Sequence, residues 1–195
     1  MTKQNEINCV YIKNVEKIHL LFEYNNIFLL DEEKKIYEDA KNYMNDIYKN
    51  AIDLYINDKK MEFNPNYSSD IKGKIKVKYV FHRLLTNTSF MFFKCSSLES
   101  IDLSSFDSTK VENMTKMFYN CSSLNSINLS SISTTNVKNM TYMFYGCKFL
   151  LSIDLSSFNT TNVTDMNNMF YNCSSLKKEN VKLNKEWTTL SNELR

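Results

Sequence analysis

The sequence predicts an α/β fold in which a short solenoid of 26-residue coils follows a small α+β domain. The main observation is an octapeptide that occurs four times, as MFFKCSSL, MFYNCSSL, MFYGCKFL and MFYNCSSL, with copies that start at Met91, Met117, Met143 and Met169. A fixed period of roughly 20–50 residues is typical of stacked repeats, in which each unit covers the apolar face of the next. The second observation is the order of strand and helix patterns before residue 85.

Each repeat combines a strand pattern with a helix pattern. In the segment from Leu124 to Ser130, Ile127 and Leu129 alternate with polar residues, which predicts a strand with one buried face. The following part of the repeat has apolar residues at helical spacing: Val137, Met140, Met143, Phe144 and Cys147. This spacing predicts a short helix on the other side of each coil.

The cysteines follow the repeat. Four of the five recur with the same 26-residue period, at Cys95, Cys121, Cys147 and Cys173. A column of small buried thiols accounts for them better than disulfides or a metal site, because the chain has no CxxC pair and only two His residues. We therefore expect no metal and no cofactor.

Composition narrows the classes of partner. The formal net charge is +2, so bulk charge does not indicate nucleic acid binding. Apolar runs fall short of the ~20 residues that span a bilayer, and the start, MTKQNEIN, lacks a signal-peptide core. These features predict a monomeric cytoplasmic protein without membrane insertion, or a protein of the cell surface if an upstream leader is missing.

The N-terminal part, residues 1–85, has a pattern of hairpin, helix, hairpin and strand. Residues 7–12 and 18–24 predict the first hairpin, Asp31 starts a helix, Asn57-Asp58 forms the turn of a second hairpin that Pro65 ends, and residues 74–81 alternate as a last strand. This order resembles a ubiquitin-like β-grasp domain, and a plain α+β capping domain fits it equally well.

The last of these strands has two interpretations. Lys74, Lys76 and Lys78 share one of its faces, which is either solvated or a patch for an anionic partner. The strand also aligns with the repeats as a degenerate first coil, with Lys76 beside Asp102.

The repeats resemble a known family. The string F-x-x-C-x-x-L-x-x-I-x-L, preceded by NVxNMxxMF, is similar to BspA-like leucine-rich repeats over residues 91–176. The resemblance implies a leucine-rich-repeat solenoid that binds proteins or host surfaces, in a family whose members are often exported. The domain from residue 86 to 195 would end in a cap from about residue 177, built from Val181, Leu183, Trp187, Leu190 and Leu194.

The sequence favours binding over catalysis. P-loop, dinucleotide and HExxH motifs are absent. The enzyme hypothesis that the sequence offers is Cys9 as nucleophile with His19 or His82 as base. We expect a non-enzymatic protein–protein interaction module with a protein partner. The alternative is a surface-displayed adhesin or antigen.

Candidate binding residues are of two kinds: polar residues that recur on the strand face, and positions that differ between repeats. Phe149 stands where other repeats have Ser, and exposed aromatic residues often anchor interfaces. The column of Phe93, Tyr119, Tyr145 and Tyr171 is either half-buried packing or an aromatic stripe for a partner. The candidate residues are Glu99, Ser100, Asp102, Ser104, Asn125, Ser126, Asn128, Ser130, Leu151, Ser152, Asp154, Ser156, Lys116, Tyr142 and Phe149.

Overall fold

The computed structural model describes residues 5–13, 17–19, 51–62, 66–68, 73–184 and 187, and residues 35, 38–39, 41–43 and 45–47, which are helical. The strands are β1 Glu6–Lys13, β2 Lys17–His19, β3 Ile52–Ile56, β4 Lys59–Met61, β5 Asn66–Ser68, β6 Gly73–Phe81, β7 Leu98–Asp102, β8 Ser126–Asn128, β9 Ile153–Leu155 and β10 Val181–Leu183. A 3-10 helix, Lys178–Asn180, lies before β10.

The largest element is a six-stranded mixed sheet in the order β4-β3-β6-β1-β7-β8. Strand β1 is central and pairs antiparallel with β6 from Glu6↔Val80 to Lys13↔Gly73. Its alternating sequence buries Ile7, Cys9 and Tyr11 on one face, as the pattern predicts. The sheet contains strands from both sides of residue 85, and the domain boundary at that position stays a prediction.

The predicted first hairpin and the β-grasp order are wrong. Strand β1 has β6 on one edge and β7 on the other, so it has no edge left for β2. Strand β2 pairs instead with β5. The interpretation of β6 as a first coil is also wrong, because β1 separates it from β7: Asp102 pairs with Asn8, and Lys76 pairs with Val10.

The second hairpin and the last strand are confirmed. Strands β3 and β4 pair antiparallel across Asn57 and Asp58, whose φ angles of 48° and 66° are both left-handed. Two left-handed central residues define a type I′ turn, which fits the twist of a hairpin and favours Asn and Asp. The helical residues between 35 and 47 agree with the predicted helix, while Asp31 and Pro65 lie outside the described residues.

The predicted helix of each repeat is wrong, and with it the α/β leucine-rich-repeat solenoid. Residues 86–184 form strands and turns without an α-helix, and the described chain is mainly β structure. In the segment from Met114 to Cys121, the N–H groups of Met117, Tyr119 and Cys121 donate locally, three residues back. The segment is therefore a series of three overlapping β-turns. The first and the last have a left-handed residue at the third position: Lys116 (φ 55°) and Asn120 (φ 55°).

The intervening amides explain why a helix does not form. The N–H groups of Lys116, Phe118 and Asn120 donate to carbonyl oxygens of the next repeat, with N–O distances of 3.0, 2.9 and 2.7 Å. An α-helix would require these groups to donate four residues back. The apolar residues that mimic helical spacing are brought to the core by the turns, where Phe92, Phe118, Phe144 and Phe170 stack at centroid distances of 5.4, 5.3 and 5.5 Å.

The C-terminal segment adds one more strand, with a change of spacing. Strand β10 pairs parallel with β9 through Val181↔Ile153 and Leu183↔Leu155. A continued 26-residue period would instead align Glu179 with Ile153. The 3-10 helix lies in the segment that contains the two additional residues.

The residues after β9 also pack on the core of the repeats. Trp187 packs on Phe158 with ring centroids 6.3 Å apart. Of the residues of the predicted cap, Val181, Leu183 and Trp187 are partly buried against the core. Leu190 and Leu194 lie outside the described residues, and the cap stays a prediction.

Leu129→Asp should destabilise the repeats together. The side chain is 3% exposed, and an unpaired carboxylate buried there costs about 3–5 kcal/mol or more. Repeats are coupled to their neighbours, so amide hydrogen exchange should accelerate in all of them. Asn128→Asp, which adds the same charge on the exposed face of β8, is the control and should change the free energy of unfolding by ~0.5 kcal/mol or less. Faster exchange confined to residues near 129 would contradict the coupling.

Gly146→Ala should destabilise the chain in a way that depends on Asn120. Gly146 has φ +70°, and an added Cβ would overlap Asn120 Oδ1. The left-handed conformation costs Ala about 1–2 kcal/mol, and displacement of the Asn side chain adds to this. In an Asn120→Gly background only the conformational cost remains, so the double variant should be more stable than the sum of the single effects predicts. Additive urea-unfolding energies would refute the contact.

Candidate functional site

Four candidate residues meet on the outer face of the central sheet. In the parallel pair β7–β8, Ser100 lies opposite Ser126 and Asp102 opposite Asn128. The 26-residue period brings equivalent side chains into adjacent positions, because each repeat contributes its strand in the same register. The strand-face residues of these two repeats therefore form a continuous polar surface.

The polar surface continues onto the N-terminal strands, which the sequence did not predict. Asn8 and Val10 of β1 lie beside Asp102 and Ser100, and Lys78 and Lys76 lie beyond them on β6. A shallow depression in this surface is lined by Val10, Asp58, Lys76, Ser100, Asn125 and Ser126, among others. The alternation of the lysines predicted their common face, but pairing between segments about 70 residues apart leaves no local signal in the sequence.

Glu99 is engaged in an ion pair across β1. Lys74 Nζ lies 2.8 Å from Glu99 Oε1. The second carboxylate oxygen, Oε2, is buried and has no hydrogen-bond partner among the described residues. The neighbouring candidate Asn125 donates its backbone N–H to the Glu99 carbonyl at 2.9 Å. Glu99 thus links β6 to the repeats through an ion pair, in addition to the backbone pairing of β1 with β7, while the Asn125 side chain is exposed.

The acidic and amide residues of the strand face stabilise the turns that follow the strands. Asp102 Oδ1 accepts a hydrogen bond from the Ser104 N–H at 2.9 Å, and Asn128 Oδ1 accepts one from the Ser130 N–H at 3.1 Å. A side chain that accepts from the backbone two residues on is an Asx turn. The acidic or amide residue at this position consequently has a structural role in three of the four repeats, at Asp102, Asn128 and Asp154.

Asp154 shows the same turn with more contacts. It accepts hydrogen bonds from both the N–H (2.9 Å) and the hydroxyl (2.6 Å) of Ser156, and Lys182 Nζ lies 2.9 Å from its other oxygen. These hydrogen bonds, with the Lys182 charge, lower the pKa of Asp154 to about 2. Ser152, Asp154 and Ser156 are all exposed.

Lys116 and Tyr142 lie on the turn side of the repeats, away from the strand face. Lys116 is only 5% exposed, and its Nζ lies 5.2 Å from the ring centroids of Tyr119 and Tyr142 and 5.8 Å from that of Phe90. A cation held over aromatic faces is a packing interaction. The structure therefore buries Lys116 within the turn side and leaves little of it for a partner.

The aromatic column is a stack of nearly parallel rings on the turn side. Centroids are 5.0 Å apart for Phe93–Tyr119, 4.6 Å for Tyr119–Tyr145 and 5.5 Å for Tyr145–Tyr171. Exposure rises along the column, from the buried Phe93 to Tyr171 at 54%. The rings cover each other's faces, so the column is chiefly packing between repeats. This agrees with the interpretation as half-buried packing rather than as an aromatic stripe for a partner.

A comparison with protein families places the repeat region in a known family. The model of the family described as "Mycoplasma protein of unknown function, DUF285" matches residues 86–193, more than half of the chain. The chain belongs to this family. No curated protein and no solved structure gives a significant match.

The cysteine column of the DUF285 region is confirmed as buried packing. All four thiols are buried, and those of Cys121, Cys147 and Cys173 donate to backbone carbonyl oxygens one repeat earlier, at 3.0, 3.2 and 3.0 Å. The acceptors are Phe92, Phe118 and Phe144. Burial raises the pKa of each thiol, that of Cys173 to about 12.

Cys9, outside the DUF285 region, has a similar environment. It is buried in the central sheet, and burial raises the pKa of its thiol well above the ordinary value. His82 Nε2 lies 3.3 Å from Asp53 Oδ2 at the surface, and the His19 side chain is outside the described part of the chain. These observations weigh against a nucleophile at Cys9, and the non-enzymatic interpretation stays a prediction.

Metal-binding and membrane-spanning features are both missing from the described residues. They contain no group of three His, Cys, Asp or Glu side chains placed to hold a metal ion. Likewise, none of the helices in this part of the chain has the length and apolar character needed to cross a membrane.

The five thiols should resist a mild thiol reagent in the native protein. A thiolate is the reactive form, and burial both raises the thiol pKa and blocks access. Titration with an aromatic disulfide should give no rapid phase at pH 8, and all five thiols should react in guanidinium chloride. Rapid native-state modification of Cys9, located by mass spectrometry, would instead support the enzyme hypothesis.

Proposed function

We propose that this chain is a non-enzymatic protein-binding module whose repeats supply the contact surface. The proposal rests on the exposure of two large apolar side chains, Phe149 (63%) and Leu151 (58%). Neighbouring repeats carry polar residues at the equivalent positions: Ser97, Ser123 and Ser175 for Phe149, and Glu99, Asn125 and Lys177 for Leu151.

The fold does not require apolar side chains at positions 149 and 151. Leu150, between them, is the buried residue of the segment and corresponds to Leu98, Leu124 and Leu176, which are also buried. Three of the four repeats place polar residues at the two flanking positions and still form the same turn, so the apolar side chains are not required by the fold. A few side chains at the centre of an interface, aromatic ones above all, often supply most of its binding energy.

The framework that presents the pair is ordered before binding. The N–H of Leu150 donates to the Cys147 carbonyl at 3.2 Å, and the N–H of Ser175 in the next repeat donates to the Lys148 carbonyl at 3.2 Å. Local and inter-repeat hydrogen bonds thus hold the segment on both sides. A preordered surface loses less conformational entropy on association, which favours affinity.

Polar candidates on the strand face would surround this apolar centre. Ser152 directly follows Leu151, and Asp154 and Ser156 are exposed on the same repeat. An apolar centre with a polar, hydrated rim is the usual composition of a protein interface.

The second candidate function is that of an adhesin or antigen displayed on the cell surface, which differs from the first in its cellular compartment. The motif NVxNMxxMF resembles BspA-like repeats, a finer assignment than the family match, and those repeats are used on cell surfaces. Protease treatment of intact source cells distinguishes the two compartments: digestion without lysis would favour an adhesin or antigen, and protection would favour the cytoplasm.

Photocrosslinking tests the proposed surface. Phe149→p-benzoylphenylalanine should give a crosslinked product with a partner from a lysate of the source cells, because the residue would lie at the interface centre. Excess unlabelled wild-type chain should compete the product away. Excess Phe149→Ser/Leu151→Asn chain, which carries the residues of the neighbouring repeats, should not compete.

The matched control is the same photoreactive residue at the exposed Lys110. The competitor variant should retain its free energy of unfolding to within ~0.5 kcal/mol, since both changes are at the surface. Equal products from positions 149 and 110, or none from 149, would contradict the proposal.

A further inference from the structure

Lysines border the exposed apolar pair of Phe149 and Leu151. Lys148 directly precedes the pair, and Lys177 and Lys178 occupy the corresponding segment of the next repeat. All three lysines are exposed. In the other repeats the position of Lys148 carries Ser, so this charge is particular to the repeat that carries the apolar pair.

The two segments lie side by side. The N–H of Ser175 donates to the Lys148 carbonyl at 3.2 Å, and the Ser174 hydroxyl lies 3.5 Å from the same oxygen. Lys177 occupies the position of this second segment that is equivalent to Leu151, just before the 3-10 helix that begins at Lys178.

Acidic residues of this region do not balance the lysines. Asp154 is already paired with Lys182 at 2.9 Å. Glu179, which is exposed, is the remaining acid in the segments 148–152 and 174–180. Three lysines against one glutamate leave an excess of two positive charges around the apolar pair.

We propose that the surface formed by Phe149, Leu151, Lys148 and Lys177 binds a segment of a partner protein in which apolar side chains are interspersed with Asp or Glu. This inference rests on the proposed function and specifies its partner. The apolar side chains of the segment cover Phe149 and Leu151, and its carboxylates face the lysines at the rim. Rim charges of this kind set specificity and association rate more than affinity.

Three fluorescein-labelled peptides of equal length test the partner chemistry by fluorescence anisotropy with the full chain. The first contains Leu and Glu, the second Leu and Lys, and the third Ser and Glu. At ~0.01 M salt the Leu–Glu peptide should bind at least ~10-fold tighter than either of the others. Its advantage over the Leu–Lys peptide should shrink at ~1 M salt, where the Debye length falls from about 30 Å to about 3 Å.

Two variants separate the contributions. Phe149→Ser/Leu151→Asn should remove detectable binding of the Leu–Glu peptide. Lys148→Ser/Lys177→Asn, which restores residues found in other repeats, should weaken it by about 3–10-fold at low salt and leave it unchanged at high salt. Lys110→Ser removes an exposed lysine that is not part of the proposed surface and should have no effect.

Equal or tighter binding of the Leu–Lys peptide, an affinity independent of salt, or no binding of the Leu–Glu peptide would each overturn the inference. None of these results affects the crosslinking test at position 149, which addresses the proposed function alone. If a partner crosslinks at position 149 but binds without salt dependence, the proposed binding module stands and the proposed acidic character of its partner is wrong.

Discussion

Backbone amides in the turns of each repeat alternate between two acceptors, and the arrangement of the whole repeat region depends on this alternation. Met117, Tyr119 and Cys121 donate within their own turns, whereas Lys116, Phe118 and Asn120 donate to the next repeat. Each turn residue in this segment thereby satisfies its own N–H, as buried backbone requires. The same alternation holds the stacked Phe rings at 5.3–5.5 Å and the thiols against the carbonyls of the preceding repeat.

This alternation of hydrogen bonds determines which residues build the repeats and which are available for binding. Residues that recur between repeats are used by the framework: the Cys and Phe columns fill the core in all four repeats, and Asp102, Asn128 and Asp154 close the turns after the strands in three of them. Lys116 also belongs to the framework, since three aromatic rings surround its ammonium group. The positions left for recognition are those that differ between repeats without altering the turn, such as Phe149 and Leu151.

Local sequence patterns predicted the strands better than the turns or the pairing. Alternation located β1 and β6, and Asn57-Asp58 located a hairpin because both residues tolerate left-handed backbone angles. Helical spacing in Val137–Cys147 was misleading, because overlapping turns bring apolar residues inward at nearly the same intervals as a helix. The left-handed residues include Phe90, Lys116 and Tyr142, which have no intrinsic preference for that conformation, so their sequence gives no turn signal.

The candidate site was predicted in part. The sequence predicted the polar residues that the repeats contribute, but not the adjoining residues of the N-terminal strands. The pairing of β1 with β7 joins segments about 90 residues apart and therefore leaves no local signal.

Cross-hydrogen-bond scalar couplings measured by NMR test the central claim most directly. An inter-repeat bond from Phe118 to Met143 predicts a coupling between the Phe118 amide nitrogen and the Met143 carbonyl carbon, with equivalent couplings from Phe92 to Met117 and from Phe144 to Met169. The intervening Tyr119 amide should couple to the Lys116 carbonyl instead. A coupling from Phe118 to the carbonyl of Met114, four residues back, would indicate an α-helix and contradict the account.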